Sequence, residues 1–186
     1  LPEFMRRLST NDARMFVRTR LALELLMRTF VRTGELIGAR WEEFDLAKGD
    51  WSLPAGRMKR RREHIVPLAT QVIELLTQLR AFDQESEFLF PGLGRRNATM
   101  SNNTVLAALE RMGYKKKMTG HGFRALASTI LNAQGFNLEA IERQLAHVER
   151  NKTRAAYNRN PHLHHLPERR RMMQHWSDYL DGIAQG

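Results

Sequence analysis

The stretch between Trp41 and Leu68 most constrains the fold, because its apolar spacing differs from that of both flanks. Before and after it, apolar residues recur every three or four positions, which is typical of helices that bury one face. Inside it, "WEEFDL", "DWSLP" and "HIVPL" are short runs joined by the turn "AKG" and a basic connection, which predicts three short strands. We therefore predict an α+β chain, mainly α-helical, with a small three-stranded antiparallel sheet.

Capping residues set the predicted limits of the helices around this sheet. After a short lead-in, Asn11 or Asp12 is expected to cap a helix that runs to about Thr29. Thr33 and Gly34 then break the pattern and start a second, short helix. Further helices are predicted over 70–82, from Ser101 to Gly113, from His121, from Asn137 through 147, and around Pro167.

Length, composition and charge narrow the class of protein. A chain of 186 residues that is 42% apolar fits one domain around one core. Zero cysteines exclude a disulfide framework and a thiolate metal site. No apolar run is long enough to span a membrane, and no secretory leader pattern is present. The net charge of +10 favours a polyanionic partner, and nucleic acid before an acidic membrane.

The run "HGFR" at 121–124 predicts an anion site. His121 and Arg124 lie three residues apart at the start of a predicted helix, so both side chains can leave the same side of its first turn. That turn also carries free backbone N–H groups and the positive end of the helix dipole. A histidine, an arginine and a helix N-terminus together disfavour a cation and favour an anion.

Six basic or nucleophilic residues stand at the junctions of predicted elements, in an order that resembles the active-site set of the tyrosine recombinases, the phage integrase family. The matching stretches include "RTGEL" at 32–36, "HGFR", "QLAH" at 144–147 and "AAYNR". The flanking "ARWEEFDL", "RMKRRREHIVPL" and "RRRMMQHWSDYL" are most similar to prophage and genomic-island integrases. One departure is Ala146, where the family usually has glycine. The six residues are Arg32, Lys59, His121, Arg124, His147 and Tyr157.

The resemblance implies a role for each of these residues. Arg32 and Arg124 would grip the non-bridging oxygens of a phosphodiester, with hydrogen bonds from the two histidines. Tyr157 would attack phosphorus and form a 3′-phosphotyrosyl link, and Lys59 would protonate the departing 5′-oxygen. Glu35 is similar to the family's acidic residue that orients the site. The reaction would need neither ATP, nor metal, nor any other cofactor.

The resemblance also implies partners. The substrate would be double-stranded DNA at attachment sites, recombined by a homotetramer in the bacterial cytoplasm, with no membrane involved. We expect this chain to be the catalytic domain of a longer integrase whose N-terminal DNA-binding domains lie outside it. Two basic runs are expected to contact the DNA backbone. Their residues are Arg57, Arg60, Arg61, Arg62, Lys115, Lys116 and Lys117.

Several alternatives remain open on the sequence alone. A non-catalytic DNA-binding module and a type IB topoisomerase share features of this pattern. Arg57 or Arg60 competes with Lys59 as the general acid, and each candidate residue taken singly is commoner as a surface or core group. "HLHH" at 162–165 is expected to be a polar loop rather than a metal site, since cysteines and a matched carboxylate are missing. "EEFD" has no second acidic cluster with which to build a two-metal nuclease site.

Overall fold

The computed structural model describes residues 1–59, 61–82, 85–92, 95–147 and 161–185. Within these ranges the chain is mainly helical and carries a small three-stranded antiparallel sheet, as the sequence predicts. The α-helices are α1 (Pro2–Thr10), α2 (Val17–Thr29), α3 (Thr33–Ile37), α4 (Thr70–Phe82), α5 (Asn102–Arg111), α6 (Gly120–Ala133), α7 (Leu138–Gln144) and α8 (Leu166–Gln185).

The three-stranded sheet comprises β1 (Phe44–Asp45), β2 (Asp50–Leu53) and β3 (His64–Pro67), paired in the order β1-β2-β3. Trp51 lies opposite Val66, and both side chains are buried, whereas Ser52 between Trp51 and Leu53 is exposed. One face of the sheet therefore packs against the core.

A second sheet was not predicted. β4 (Pro91–Gly92) pairs antiparallel with β5 (Arg95–Thr99) and has a register shift at Pro91/Gly92. Neither strand shows the alternation of apolar and polar residues that identifies a strand in a sequence. The pairing of β4 with β5 is therefore seen only in the structure.

The N-terminal prediction is wrong in two respects. The expected lead-in is helix α1, which buries Phe4 and Leu8 and packs against α8. Asn11 ends α1 in a left-handed conformation with φ of 54°, and its side chain accepts from the backbone N–H of Met15 at 2.9 Å. It therefore shapes the connection to α2, which begins only at Val17.

Helix α2 runs through the core and is contacted by α3, α4, α5, α6 and α8. Helix α8 is anchored along it by polar bonds as well as by apolar packing. Trp176 is fully buried and donates from Nε1 to the carbonyl of Met27 at 2.9 Å. Arg28 donates to the carbonyl of Ser177 at 3.2 Å and pairs with Asp181 at 2.6 Å. The last helix is therefore part of the core.

Candidate active site

Arg124 is buried at the centre of the site. From α6 its Nη1 donates to the carbonyl of Phe30 at 2.7 Å, and its Nη2 donates to the carbonyl of Leu145 at 2.6 Å. Burial, and then the charge of Arg32, lower its pKa to about 10, so the guanidinium stays protonated at neutral pH. Its Nε has no hydrogen-bond partner among the described residues. The side chain of Arg124 thus links the end of α2 to the end of α7. Its Nε–H is left without a partner among the described residues.

Arg32 stands beside this centre, at the start of α3. Its Nη1 contacts Oε1 of Glu35 at 2.6 Å, and its backbone N–H donates to Oε2 of the same carboxylate at 2.9 Å. Glu35 is buried, whereas the side chain of Arg32 is one-third exposed. Arg124 donates to the carbonyl of Phe30, only two residues before Arg32, so the two side chains lie in the same region, and the charge of Arg32 lowers the pKa of Arg124. The structure therefore brings the two predicted clamp residues together.

A glycine allows the start of α6 to approach the start of α3. A Cβ on Gly120 would lie 2.0 Å from Oγ1 of Thr33, so only glycine lets the first turn of α6 approach the start of α3 this closely. Thr119 caps that turn by accepting from the N–H of Gly122 at 3.1 Å. Since Gly120 precedes His121 and Thr33 follows Arg32, these two predicted site residues lie on adjoining helix starts. His121 is exposed there.

His147 follows the end of α7 and is held by a carboxylate. Its Nδ1 lies 2.7 Å from Oε2 of Glu142, and its side chain is about half exposed, at 44%. Nε2 is then the ring nitrogen that can serve a ligand. Ala146, the departure from the family pattern, takes a left-handed conformation with φ of 51°. That conformation is one that glycine adopts at lower cost than alanine.

Beneath these residues lies a buried histidine that the sequence analysis missed. His64 in β3 is only 6% exposed, and its Nε2 lies 3.2 Å from the carbonyl of Gln144 in α7. Burial, and then the charge of Arg169, lower its pKa to about 3, so the ring is neutral. The sequence does give one sign that His64 is buried. In the strand "HIVPL" it lies on the same face as Val66, which is also buried.

The cations in the basic connection between β2 and β3 differ in their exposure to solvent. Lys59 is exposed, as are Arg61 and Arg62, while Arg60 lies outside the described residues. Arg57 instead turns inward, pairs with the buried carboxylate of Glu43 and donates from Nη2 to the carbonyl of Glu35 at 2.6 Å. These contacts of Arg57 are with the protein itself, and its expected contact with DNA stays a prediction.

The second basic run also contains one cation that is already paired. Lys115 forms an ion pair with Glu110, which partly neutralises it. Lys116 and Lys117 are exposed.

Of the three tyrosines, Tyr157 lies outside the described residues. The other two are packed by aromatic neighbours. Tyr179 stacks on Trp176 with ring centroids 5.8 Å apart, and Tyr114 meets the ring of Phe4 edge-on at 5.2 Å. Burial also raises the pKa of Tyr114, which disfavours its phenolate. Packing therefore gives Tyr114 and Tyr179 structural roles.

Among the described residues, no group of three or more histidine, cysteine, aspartate or glutamate side chains is arranged to hold a metal ion. His165, from the "HLHH" run, contacts Glu139 at 3.4 Å and Glu168 at 3.1 Å. Glu43, from the "EEFD" run, accepts from Nε1 of Trp51 at 3.0 Å in addition to its pair with Arg57. None of the helices described is both long and apolar enough to cross a membrane.

Comparison with known sequences identifies the family. The model of the phage integrase family matches residues 2–164. The integrase of Enterobacteria phage P4 is 47% identical, over 97% of this chain and 44% of its own length. Prophage integrase IntA of Escherichia coli K12 is 39% identical, over 100% of this chain and 44% of its own length. The chain belongs to the phage integrase family, as its motifs predict, and spans less than half the length of these relatives.

Comparison with solved structures agrees on the fold. The integrase from mycobacterium phage Brujita has a TM-score of 0.70 at 17% identity, over 98% of this chain and 61% of its own. The XerA recombinase has a TM-score of 0.63 at 21% identity, over 94% of this chain and 62% of its own. The helices and the small sheet described above therefore form the fold that these recombinases share.

Proposed function

We propose that this chain carries the catalytic centre of a site-specific recombinase, which cuts and rejoins DNA through a covalent 3′-phosphotyrosine. One observation supports this most strongly: Arg32 and Arg124, which are 92 residues apart in the sequence, are held beside each other by Glu35 and by two backbone carbonyls. Like charges repel, so this arrangement is stabilised by an anion bound between them. A phosphodiester is such an anion.

The two guanidiniums suit the transition state of phosphoryl transfer. Charge builds up on the non-bridging oxygens as a nucleophile adds to phosphorus, and guanidinium donors bind such oxygens in a bidentate manner. Arg124 uses one N–H of Nη1 and one of Nη2 on carbonyls, which leaves the second N–H of each nitrogen, and its Nε is without a partner among the described residues. Arg32, one-third exposed, supplies the second cation. His121 and His147 would donate further hydrogen bonds to the same oxygens.

Tyr157 is proposed as the nucleophile. Its phenolic oxygen releases its proton to water and forms a bond to phosphorus, while the bond from phosphorus to the 5′-oxygen breaks. Lys59, exposed on the hairpin, delivers its proton to that oxygen, which leaves as a 5′-hydroxyl. The reverse reaction, with the 5′-hydroxyl of another strand as nucleophile, rejoins the DNA and frees the tyrosine. The phosphotyrosyl ester conserves the energy of the original bond, so no other energy source enters the cycle.

The proposed partner is double-stranded DNA at attachment sites of a mobile element in the bacterial cytoplasm, where the whole protein acts as a homotetramer. This chain would be the catalytic domain of that protein, with its DNA-binding domains N-terminal to it. Exposed cations at both basic runs support contact with the phosphate backbone. They are Arg61, Arg62, Lys116 and Lys117.

The deciding experiment uses a duplex from the junction between the element and the chromosome, nicked near the cleavage site so that the cut fragment diffuses away. Incubation with the protein should give a covalent adduct that survives denaturing electrophoresis. Addition of a complementary 5′-hydroxyl strand should release the protein and yield a joined product. A non-catalytic DNA-binding module gives neither product. A type IB topoisomerase is recognised in a separate assay, because it relaxes supercoiled plasmid that lacks the junction.

A further inference from the structure

The side chain of Arg57 joins three separate parts of the chain. Arg57 ends the short turn Ala55–Arg57 that follows β2, and its side chain is largely buried. Its Nη1 pairs with the carboxylate of Glu43, and its Nη2 donates to the backbone carbonyl of Glu35 at 2.6 Å. Glu43 is buried and also accepts from Nε1 of Trp51 at 3.0 Å. The guanidinium therefore links the connection between β2 and β3 to α3 and to the residue that precedes β1.

This guanidinium fits closely against α3. A Cβ on Gly38, the residue that ends α3, would lie 3.1 Å from Nη2 of Arg57. Glu35, whose carbonyl accepts from Arg57, uses its own carboxylate to hold Nη1 of Arg32 at 2.6 Å. A single buried residue, Glu35, thus contacts both the arginine of the hairpin and the first arginine of the proposed phosphate clamp.

Lys59 follows Arg57 by two residues, and the residue between them is fixed as well. Met58 is only 6% exposed, and its backbone N–H donates to the carbonyl of Ala55 at 3.2 Å. Beyond Lys59, the N–H of Arg61 donates to the carbonyl of Met58 at 2.9 Å, which closes a turn around Lys59. The side chain of Lys59 is exposed. The turn that carries Lys59 is therefore held at its base, while the lysine side chain is open to solvent.

From these contacts we infer that Arg57 is a positioning residue for Lys59. It fixes the base of the turn that carries the proposed general acid to Glu35, which also orients Arg32, so that the acid and the clamp share one anchor. The inference rests on the proposed function. A general acid works only within hydrogen-bond reach of the oxygen that it protonates, so release of this anchor should slow the step that Lys59 serves.

The geometry of the guanidinium explains why arginine suits this role. Its donors point in fixed directions from one plane, so Arg57 can serve the carboxylate of Glu43 and the carbonyl of Glu35 together. A lysine keeps a cation for Glu43 but offers a single donor atom. Arg57→Lys therefore loosens the link to α3 and leaves Glu43 with a partner for its charge.

Arg170 provides a matched control on the same sheet. It donates to the carbonyls of Lys48 and Gly49 at 3.0 and 3.3 Å and pairs with Asp50 at 2.7 Å. These bonds hold the turn between β1 and β2, at the end of β2 opposite the connection that carries Lys59. Arg170→Lys therefore loosens a comparable link without touching that connection.

The experiment uses the nicked junction duplex in two forms, at saturating DNA and in a single turnover. One form is normal, and the other has sulfur at the bridging 5′ position, so that its leaving group needs no proton. On normal DNA, Arg57→Lys should slow adduct formation roughly 10- to 100-fold, because the acid is misplaced. On sulfur DNA it should react within about threefold of the unmodified protein. Arg170→Lys should stay within about threefold of the unmodified protein on both forms.

Three results would overturn the inference. An equal loss on both forms would mean that Arg57 acts through Glu35 on Arg32. A loss that more DNA removes would mean that Arg57 serves binding through a contact with the DNA backbone. Equal rates for Arg57→Lys and Arg170→Lys on normal DNA would mean that the link has no part in the reaction.

A double variant separates a positioning residue from a second acid. If Arg57 acts only through Lys59, then adding Arg57→Lys to Lys59→Ala should slow the reaction on normal DNA no further. Losses that multiply would mean that Arg57 acts independently of Lys59. A normal rate for Lys59→Ala alone would mean that Lys59 is not the acid, and both results contradict the inference.

A second variant keeps the inference testable if Arg57→Lys does not fold. Glu43→Gln keeps the shape of its side chain but removes the charge that holds Arg57, so it should show a smaller loss that sulfur DNA also removes. A loss that persists on sulfur DNA contradicts the inference. Failure of the unmodified protein to form an adduct on either duplex counts against the proposed function itself.

Discussion

Arg124 donates from Nη2 to the carbonyl oxygen of Leu145 across 2.6 Å, two residues before His147. The bond joins the helix that carries one proposed phosphate ligand to the chain that carries the next. Its companion bond, to the carbonyl of Phe30, reaches the end of α2, only two residues before Arg32. Arg124 therefore organises the site in addition to its proposed contact with phosphate.

The double role of Arg124 predicts that lysine cannot replace it. Arg124→Lys keeps a positive charge but cannot serve both carbonyls, so the free energy of unfolding should fall by about 1–3 kcal/mol. Adduct formation should fall by at least about 100-fold, because the transition state loses a guanidinium. Chemical denaturation and the single-turnover adduct assay measure the two effects. Arg171→Lys, at an exposed position of α8, is the control, and equal stability of the two variants would count against the account.

The close approach of α6 to α3 predicts a coupled pair of substitutions. In Gly120→Ala the new Cβ meets Oγ1 of Thr33, so overpacking should lower the free energy of unfolding by about 1–3 kcal/mol. Combining it with Thr33→Ala should restore most of that loss, since the clashing oxygen is gone. Gly34→Ala is the control, because nothing lies within 4 Å of its Cβ and alanine favours a helix. Additive effects of Gly120→Ala and Thr33→Ala, measured by denaturation, would contradict this account of the contact.

Lys59 and Arg57, two residues apart on one hairpin, should respond to substitution in opposite ways. Lys59 is exposed, so Lys59→Ala should leave the free energy of unfolding within about 0.5 kcal/mol of the unmodified protein and yet slow DNA cleavage strongly. Arg57→Met leaves the buried carboxylate of Glu43 without its ion pair and should cost about 3–5 kcal/mol of stability. Thermal and chemical denaturation together with the adduct assay measure this contrast.

A sulfur-substituted substrate tests the proton transfer itself. Sulfur at the bridging 5′ position makes a leaving group that needs no proton, so Lys59→Ala should cleave this DNA nearly as fast as the unmodified protein. Arg124→Ala should stay defective on both substrates, because its work is on the non-bridging oxygens. If sulfur does not rescue Lys59→Ala, the acid is another group, and His121 or a neighbouring hairpin cation is the next candidate.

His64 predicts part of the dependence of stability on pH. Its pKa is about 3 in the folded chain against an ordinary value of 6.5, so between these limits the unfolded chain binds a proton that the folded chain does not. Stability is therefore lost as the pH falls from about 6.5, at up to about 1.4 kcal/mol per pH unit. His64→Gln keeps an N–H donor for the carbonyl of Gln144 and should show a shallower slope in denaturation between pH 6.5 and 4.5.

The features that could be predicted are those that local chemistry decides. Ser101 and Asn137 cap their helices as expected, accepting from the N–H groups of Asn103 and Glu139, because a cap needs only its own first turn. Helix α1 was missed because its stability comes from packing Phe4 and Leu8 against distant elements.

The same distinction applies to the site. The order of the matching motifs predicts which residues belong to the site. It does not predict how the cations within one basic run differ in exposure and contacts. Arg57 turns inward because Glu43, 14 residues earlier, lies beneath it, and a run of like charges gives no sign of this. Arg169, in the run "ERRR", is equally hidden until β3 and α7 are seen to meet it.

The central claim is that Tyr157 is the nucleophile, and one comparison of variants on the nicked junction duplex tests it most directly. Tyr157→Phe removes a single oxygen, the atom that would form the bond to phosphorus, so the covalent adduct should be abolished. DNA affinity should stay within about twofold, because the loss falls on the chemical step and not on binding. Tyr179→Phe, in the aromatic stack on Trp176, should form the adduct at close to the normal rate. An adduct with Tyr157→Phe, or loss of the adduct with a folded Tyr179→Phe, would contradict the account.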